Sequence, residues 1–179
     1  MLLCACNAKP PTLPRLGAKD VILAFGDSLT YGTGAGEHQS YPTVLQQLIQ
    51  RSVVRAGVPG ETTAQGLARL PDAIEEHAPK LVLLCMGGND MLQKVAPATI
   101  RANLRAMIEL ARKRGANVVL IGVPEPKLFS DPPKFYGELA RELGLPYEGD
   151  VFDDVLHDQS LKSDAIHPNA MGYKRVAEA

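Results

Sequence analysis

Tryptophan is absent from the 179-residue chain, and the only aromatic residues are five tyrosines and four phenylalanines. A site built on stacked aromatic rings, as for single-stranded nucleic acid, is therefore not expected. The formal net charge of −1 supplies no electrostatic attraction to polynucleotides. The chain also lacks any run approaching the about 20 apolar residues that cross a bilayer. Because of these absences, we expect no nucleic-acid partner and no membrane-spanning segment.

Cysteine is scarce as well, with three residues in the chain. Three are too few for a disulfide scaffold. Cys4 and Cys6 stand near the N-terminus, whereas Cys85 lies within an apolar run and is predicted to be a buried thiol. The histidine and cysteine residues do not have metal-ligand spacing, so neither a metal nor another cofactor is expected.

The N-terminal tail differs from the rest of the chain. Leu3-Cys4-Ala5-Cys6 resembles a bacterial lipobox, and that resemblance implies cleavage before Cys6 and acylation of its sulfur. The alternative is a short frayed end, because no Lys or Arg precedes the motif and the apolar run is shorter than a signal-peptide core. Residues 7–17 contain three prolines, which suit a semi-rigid tether.

We therefore interpret residues 1–18 as a tail with a truncated lipoprotein signal and residues 19–179 as one domain. This interpretation predicts a location in the bacterial cell envelope, attached to the membrane through a lipidated Cys6. A cytoplasmic location is the alternative.

Short apolar runs alternate with helical patterns from Asp20 onward. The runs predict strands over Val21–Phe25, Ser52–Val54, Leu81–Met86, Val118–Val123 and, more weakly, Leu145–Tyr147. Helices are predicted between them, including one over residues 131–143 and a last one from Pro168. This alternation is typical of an α/β fold in which helices cover both faces of a parallel sheet.

Ligands of such sheets bind beyond the carboxyl ends of the strands, where this chain carries several polar segments. They are Gly26-Asp27-Ser28-Leu29, Gly57-Val58-Pro59-Gly60-Glu61-Thr62, Gly87-Gly88-Asn89-Asp90 and, near the C-terminus, Asp164-Ala165-Ile166-His167. Each segment alone is better explained as a turn, a helix cap or a solvated loop pair. Together they supply every part of an acyl-transfer site.

The chemistry assigns a role to each group. A serine hydroxyl such as that of Ser28 is a weak nucleophile until a base accepts its proton, and His167 is the candidate base. Asp164 is placed to orient His167 and to stabilise its charged form. The backbone N–H groups of Ser28 and Gly60 and the side-chain amide of Asn89 are the candidate donors to a tetrahedral oxyanion.

With these motifs the sequence resembles the SGNH hydrolases, also called GDSL esterases/lipases, and particularly their bacterial thioesterase I/lysophospholipase/arylesterase branch. Residues 60–71 resemble that branch's second block. The resemblance implies a three-layer α/β/α sandwich with a five-stranded parallel sheet, as in flavodoxin-like folds. It also implies a Ser28–Asp164–His167 triad, an oxyanion hole of Ser28, Gly60 and Asn89, and a supporting role for Asp27 in the serine turn. Arg55 stands where relatives often carry Asn.

The predicted function is therefore cofactor-free hydrolysis of acyl esters: short-chain or aryl esters, thioesters or lysophospholipids. Carbohydrate O-deacetylation within the cell envelope is one alternative, and a non-catalytic flavodoxin-like binding module is another. The α/β-hydrolase fold is excluded, because Thr30 occupies the position of the last glycine in Gly-x-Ser-x-Gly.

Three further expectations concern the surroundings of the site. The segments 31–40, 91–98 and 124–131 are predicted to form its walls, with the glycine-rich stretch 32–36 as one of them rather than a phosphate loop. The acidic stretch around His157, with Asp153, Asp154 and Asp158, is interpreted as a solvated loop. His38 and His77 are expected at the surface.

Overall fold

The computed structural model describes residues 11–13, 15–125 and 132–179. Cys6, with the rest of the lipobox, lies outside the described residues, as does part of the predicted wall segment 124–131. The strands are β1 (Val21–Gly26), β2 (Ser52–Gly57), β3 (Leu81–Cys85), β4 (Asn117–Ile121) and β5 (Tyr147–Glu148). They form one sheet in the order β2-β1-β3-β4-β5, and every neighbouring pair is parallel. The predicted five-stranded parallel sheet is confirmed.

Helices cover the sheet on both faces. They are α1 (Ser28–Tyr31), α2 (Tyr41–Ile49), α3 (Thr63–His77), α4 (Gly88–Leu92), α5 (Pro97–Lys113), α6 (Phe135–Leu143), α7 (Val151–His157) and α8 (Ala170–Glu178). Helix α5 packs between α3 and α6, whereas α8 packs between α2 and α7. These two groups form the outer layers of an α/β/α sandwich, which explains why the central strands read as continuous apolar runs.

The core lies between these layers. Strand β1 contributes Leu23, Ala24 and Phe25, each fully buried, and β3 contributes Leu84 and Cys85. Cys85 is completely buried, which confirms the expectation of a buried thiol. Burial also raises the pKa of this thiol well above its ordinary value. A thiol without access to solvent and without a thiolate form is inert.

The register of the strands brings three ends to the same level. Gly26 pairs with Gly57 of β2 and with Cys85 of β3. A Cβ atom on Gly26 would lie 2.2 Å from Thr30 Oγ1 and 2.3 Å from the Cys85 carbonyl oxygen, so no larger residue fits. The chain therefore turns out of β1 in close contact with β3, and everything that follows β1, β2 and β3 lies at one edge of the sheet.

Helix α7 is a correction to the sequence interpretation, which placed a solvated loop here. Val151, Phe152 and Val155 are buried and lie on one helical face, while Asp153 and Asp154 occupy other positions. The acidic residues dominated the composition of this segment and obscured a short apolar stripe at helical spacing.

Other observed strand and helix boundaries differ from the predicted ones by a few residues. Strand β2 extends to Gly57 rather than ending at Val54, and β4 ends at Ile121. Helix α6 begins at Phe135, after the two prolines that were expected near its start. Helix α3 contains Pro71 in its interior and continues to His77.

Candidate active site

Ser28 is positioned by the turn between β1 and α1. The Asp27 side chain caps α1 by accepting a hydrogen bond from Leu29 N at 3.0 Å, and its carbonyl oxygen accepts from Tyr31 N at 2.9 Å. Ser28 is consequently the first residue of the helix, and its half-buried side chain lies beyond the carboxyl end of β1. The sequence Gly-Asp-Ser achieves this because glycine permits the close turn and aspartate caps the helix.

His167 is held by a compact loop before α8. Asp164 Oδ1 accepts hydrogen bonds from Ile166 N at 2.8 Å and from His167 N at 2.9 Å. The loop closes through a hydrogen bond from Ser163 N to the His167 carbonyl oxygen at 2.9 Å. Asn169 then caps α8 by accepting from Met171 N and Gly172 N. The spacing of three residues between Asp164 and His167 is therefore the spacing of a side-chain-stabilised turn.

The three side chains predicted to act together form one hydrogen-bonded chain. His167 Nε2 lies 3.0 Å from Ser28 Oγ, and His167 Nδ1 lies 2.8 Å from Asp164 Oδ2. The His167 side chain is 14% exposed, whereas that of Asp164 is 53% exposed. The fold thus brings together residues 139 positions apart in the sequence, with geometry in which the imidazole can accept the serine proton.

The pKa of Asp164 lies below its ordinary value. Partial burial acts to raise it, but the hydrogen bonds from the His167 side chain and from the two backbone N–H groups outweigh that effect. Asp164 therefore stays ionised through the neutral pH range. An ionised carboxylate beside Nδ1 favours the tautomer in which Nε2 is free to accept a proton.

Asn89 and Gly60 lie on either side of the serine turn, as the strand order requires. Asn89 Nδ2 donates to Asp27 Oδ2 at 3.2 Å and to the Glu61 carbonyl oxygen at 3.0 Å. Gly60 belongs to a turn closed by a hydrogen bond from Glu61 N to the Val58 carbonyl oxygen at 3.2 Å, and its φ is +81°. A glycine at the third position of such a turn, after Pro59, satisfies the type II pattern.

Asp27 is a buried carboxylic acid in contact with this arrangement. Burial raises its pKa to about 7, the nearby charges of Asp90 and Glu61 act in the same direction, and the hydrogen bond from Leu29 N and the charge of His167 act against it. Its protonation state therefore changes near neutral pH while its second oxygen accepts from Asn89.

The sequence interpretation missed the polar network beneath these loops. Asp90 is buried and accepts from Thr63 N at 2.8 Å and Thr63 Oγ1 at 2.6 Å. Glu61, also buried, pairs with Arg69. Glu61 precedes α3, whose N-cap is Thr62, whereas Arg69 lies within that helix, so helical spacing in the sequence did not indicate this pair.

Arg55, the departure from the family pattern, is bonded to Tyr31 at the end of α1. Its Nη1 donates to the Tyr31 carbonyl oxygen at 2.9 Å, and its guanidinium lies 4.9 Å from the centre of the Tyr31 ring. Arg55 therefore closes the end of α1. The hydrogen bonds behind the Gly60 turn come from Arg69 instead.

A cleft of about 540 Å³ opens beside Ser28. Its lining includes Ser28, Asn89 and His167. The other lining residues include Leu92, Val123, Pro124, Glu125, Asp153, Leu156, His157, Gln159, Lys162, Ala165 and Ile166. The predicted wall segments 91–98 and 124–131 thus contribute through the residues that the structure describes.

The glycine-rich stretch 32–36 does not line this cleft, contrary to expectation. A Cβ atom on Gly34 would lie 2.1 Å from Ser163 Oγ and 2.6 Å from the Pro168 carbonyl oxygen, and the Tyr173 hydroxyl donates to the Thr33 carbonyl oxygen at 2.8 Å. The stretch supports the loop of His167 from behind. A glycine is needed at position 34 because its φ is +97° and the backbone at Pro168 approaches it closely.

Within the described residues, no group of three or more metal-ligating side chains could hold a metal ion. His38 is exposed and His77 is half-buried, whereas His157 lines the cleft. A search of the helices in the described part of the chain finds none long and apolar enough to span a membrane.

Comparison with known proteins gives a consistent result. The model of the GDSL-like Lipase/Acylhydrolase family matches residues 24–175. Esterase TesA of Pseudomonas aeruginosa is 32% identical over 191 aligned positions, which cover 99% of this chain and 94% of that protein. The Thioesterase 1/protease 1/lysophospholipase L1 of Escherichia coli is 32% identical, with 92% of this chain and 83% of that protein covered.

A solved structure of TesA superposes with a TM-score of 0.80 at 31% identity, covering 89% of this chain and 94% of the other. A more distant relative, the uncharacterized lipoprotein YqeF of Bacillus subtilis, is 29% identical over 59% of this chain and 48% of its own length. The family match spans the serine turn, the Gly60 and Asn89 loops and the histidine loop together. The chain belongs to the GDSL-like lipase/acylhydrolase family, the GDSL/SGNH hydrolases, and is a carboxylic ester hydrolase.

Proposed function

We propose that this protein is a serine esterase that hydrolyses acyl esters through a covalent acyl-enzyme on Ser28. The hydrogen-bonded chain from Ser28 Oγ through His167 to Asp164 is the observation that carries the proposal. In this arrangement His167 is the general base, and Asp164 orients the imidazole and stabilises its charged form.

The reaction has two stages. Ser28 Oγ attacks the acyl carbonyl carbon while His167 Nε2 takes the hydroxyl proton, and the collapsing tetrahedral intermediate expels the alcohol or thiol, which receives that proton. His167 then takes a proton from water while the water oxygen attacks the acyl carbon of the acyl-enzyme. The second tetrahedral intermediate collapses by breaking the bond to Ser28 Oγ, which recovers the proton from His167, and the carboxylic acid leaves. No cofactor takes part in either stage.

The oxyanion is held by donors from three neighbouring strand ends: the N–H of Ser28, the N–H of Gly60 and the side-chain amide of Asn89. Each preorganised donor of this kind is worth about 3–4 kcal/mol of transition-state stabilisation. Both hydrogens of the Asn89 amide already have acceptors, Asp27 Oδ2 and the Glu61 carbonyl oxygen. The oxyanion therefore shares or replaces one of these acceptors, and the other keeps the amide oriented.

The substrate class follows from the cleft. Its lining includes the reacting groups and combines apolar side chains such as Leu92, Val123 and Ile166 with the polar Gln159 and Lys162. Such a lining suits an acyl chain of modest length. We propose short-chain and aryl esters as substrates, with thioesters and lysophospholipids as further members of the class, in keeping with the relatives' names.

Labelling and kinetics test the assignment. A fluorophosphonate probe should label wild-type protein on Ser28, and Ser28→Ala should lose both labelling and hydrolysis of p-nitrophenyl acetate. Ser52→Ala, at the opposite end of the sheet, is the matched control and should keep both. Full esterase activity in Ser28→Ala would refute the mechanism.

The acyl group is identified by a second assay. Hydrolysis rates of p-nitrophenyl esters of increasing chain length, measured with and without detergent, should be highest for short chains. Acetylated glycans serve as the competing substrate. Selective hydrolysis of the glycans, with weak activity on simple esters, would favour the carbohydrate O-acetylesterase alternative instead.

We further propose that residues 19–179 form a catalytic domain tethered to the cell envelope through lipidated Cys6. The lipobox-like sequence and the lipoprotein relative support this proposal. Expression of the precursor in bacteria with labelled palmitate should label the protein, and Cys6→Ala should abolish the label. Cys4→Ala is the matched control. Equal labelling of Cys6→Ala and wild type would contradict the proposal.

A further inference from the structure

The turn that carries Gly60 is exposed, yet its proposed function requires a fixed N–H direction. Val58, Pro59 and Gly60 are all exposed, and among the residues that the structure describes, none beyond the two neighbours of Gly60 has an atom within 4 Å of where a Gly60 Cβ would be. Packing around Gly60 therefore does not hold the turn. A backbone hydrogen bond from Val58 N to the Gly26 carbonyl oxygen, at 3.0 Å, fixes its first residue. The last residue, Glu61, is the one that becomes buried.

Glu61 is held by a two-point contact with Arg69. Arg69 Nε donates to Glu61 Oε1 at 2.7 Å, and Arg69 Nη2 donates to Glu61 Oε2 at 2.6 Å. The Glu61 side chain is 7% exposed and that of Arg69 is 28% exposed. A paired, planar contact between a guanidinium and a carboxylate fixes direction as well as distance, which a lysine could not do.

Arg69 is in turn fixed to the strands that frame the site. Its Nη2 donates to the Ala56 carbonyl oxygen at 3.1 Å and approaches the Gly26 carbonyl oxygen at 3.4 Å. Its guanidinium lies 4.0 Å from the centre of the Phe25 ring. One side chain thus connects the end of β1, from which Ser28 extends, to the end of β2, from which the Gly60 turn extends.

Glu61 also contacts Asn89, the third proposed oxyanion donor. The Glu61 carbonyl oxygen accepts from Asn89 Nδ2 at 3.0 Å, so Glu61 is bonded on its side chain to Arg69 and on its backbone to Asn89. Gly60 and Asn89 are therefore set relative to each other, and to Ser28, through Glu61 and Arg69.

We propose that Glu61 and Arg69 are a positioning pair that aligns the oxyanion donors for catalysis. This inference rests on the proposed function of Gly60 and Asn89. Neither side chain contacts the reacting atoms; their effect is to keep two donors at hydrogen-bond distance from the oxygen that becomes charged. Small misplacements of such groups reduce rates by about 100-fold.

Arg69→Met is the first test. It should lower kcat for p-nitrophenyl acetate by about 10- to 100-fold and change KM by less than about 3-fold, because the donors act chiefly on the transition state. Inhibition by phenylboronic acid, whose tetrahedral serine adduct places an oxygen among the donors, should weaken by a similar factor. Arg101→Met, which removes an exposed ion pair with Glu142, is the matched control and should change none of these values.

The double variant Glu61→Met/Arg69→Met separates positioning from stability. Arg69→Met leaves a buried carboxylate unpaired and is expected to lower Tm, whereas replacing both partners by apolar residues removes that penalty. A positioning role predicts that the double variant regains Tm but not kcat or boronic acid affinity. If kcat returns together with Tm, or if Arg69→Met keeps kcat within about 3-fold of wild type, the positioning role is refuted.

The result that would contradict the proposed function is distinct from the result that would contradict the positioning pair. In that case wild-type protein would neither hydrolyse the ester nor be labelled at Ser28 by a fluorophosphonate. Active, labelled wild type with an equally active Arg69→Met would overturn only the positioning pair.

Discussion

Replacing Asp164 by asparagine removes one of two roles that this carboxylate performs and keeps the other. Oδ1 accepts from Ile166 N and His167 N, and Oδ2 faces His167 Nδ1 at 2.8 Å. The amide oxygen of asparagine can take over the first role. Its NH₂ group cannot accept a proton from Nδ1, so the imidazole takes the tautomer with hydrogen on Nε2 and loses its ability to accept the proton of Ser28.

The expected loss is large but smaller than in a buried triad. Where the acid is buried, this substitution lowers kcat by about 10⁴-fold. The Asp164 side chain is 53% exposed, so water partly replaces its stabilisation of the imidazolium. We therefore expect kcat of Asp164→Asn to fall by about 10²- to 10³-fold, or roughly 3–4 kcal/mol of transition-state stabilisation. KM should change little, since the substituted group does not contact substrate.

The assay compares Asp164→Asn with Asp164→Ala in hydrolysis of p-nitrophenyl acetate and in urea unfolding. The asparagine variant should unfold with nearly wild-type free energy, whereas the alanine variant should lose about 1–2 kcal/mol because two backbone donors lose their acceptor. Their kcat values should be similarly low. An Asp164→Asn enzyme within about 10-fold of wild-type kcat would show that the carboxylate holds only the turn.

Four other perturbations test neighbouring parts of the site. Asn89→Ala should lower kcat by about 10²- to 10³-fold in steady-state kinetics, and a loss under about 5-fold would argue against it as an oxyanion donor. Gly60→Ala should cost about 1–2 kcal/mol in urea unfolding because φ is +81°, and it should also lower kcat; unchanged stability would mean that the turn relaxes freely. Gly34→Ala should reduce kcat more than it changes KM, because the alanine Cβ would clash with Ser163 and displace the histidine loop. Full activity would show that the loop accommodates the Cβ without displacing His167. The raised pKa of Asp27 means that the folded state binds its proton more tightly, so wild-type stability should fall as pH rises from about 4 through about 7, the pKa of this buried group. For Asp27→Asn, the free energy of unfolding measured in urea should not decrease in this way between pH 5 and pH 8. An equal decrease in the variant and in wild type would contradict this prediction.

The local geometry of the site that the sequence predicted is made by neighbours along the chain, whereas the grouping of Ser28, Asp164 and His167 rested on their chemistry and on the family resemblance. Gly26-Asp27-Ser28 specifies a strand end, a cap and a helix start within three residues, and the structure contains all of them. The three-residue spacing of Asp164 and His167 likewise makes a local turn. Such patterns are predictable because the backbone hydrogen bonds they require are formed within the pattern itself.

The parts that were missed depend on which strands become neighbours. The bond from Thr63 to Asp90 joins residues 27 positions apart, and that from Asn89 to Asp27 spans 62 positions. An apolar run predicts a strand but not its place in the sheet, so these partners are indicated only once the order β2-β1-β3 is known. The position of Gly34 behind the histidine loop has the same origin, because α8 and the loop before it pack against Thr33 and Gly34, which are distant in the sequence.

The strand order also explains how the catalytic groups divide between two parts of the fold. The first strand in the chain lies between β2 and β3 in the sheet, so Ser28 has the loops of these two strands on its two sides, and those loops bring Gly60 and Asn89. His167 and Asp164 arrive separately, on a loop stabilised by its own hydrogen bonds and by the cap of α8. The nucleophile with its oxyanion donors and the acid–base pair are therefore supported by different contacts. Substitutions at Arg69 should consequently weaken transition-state analogue binding while leaving the histidine pair in place, and substitutions at Asp164 should impair proton transfer while leaving the donors aligned.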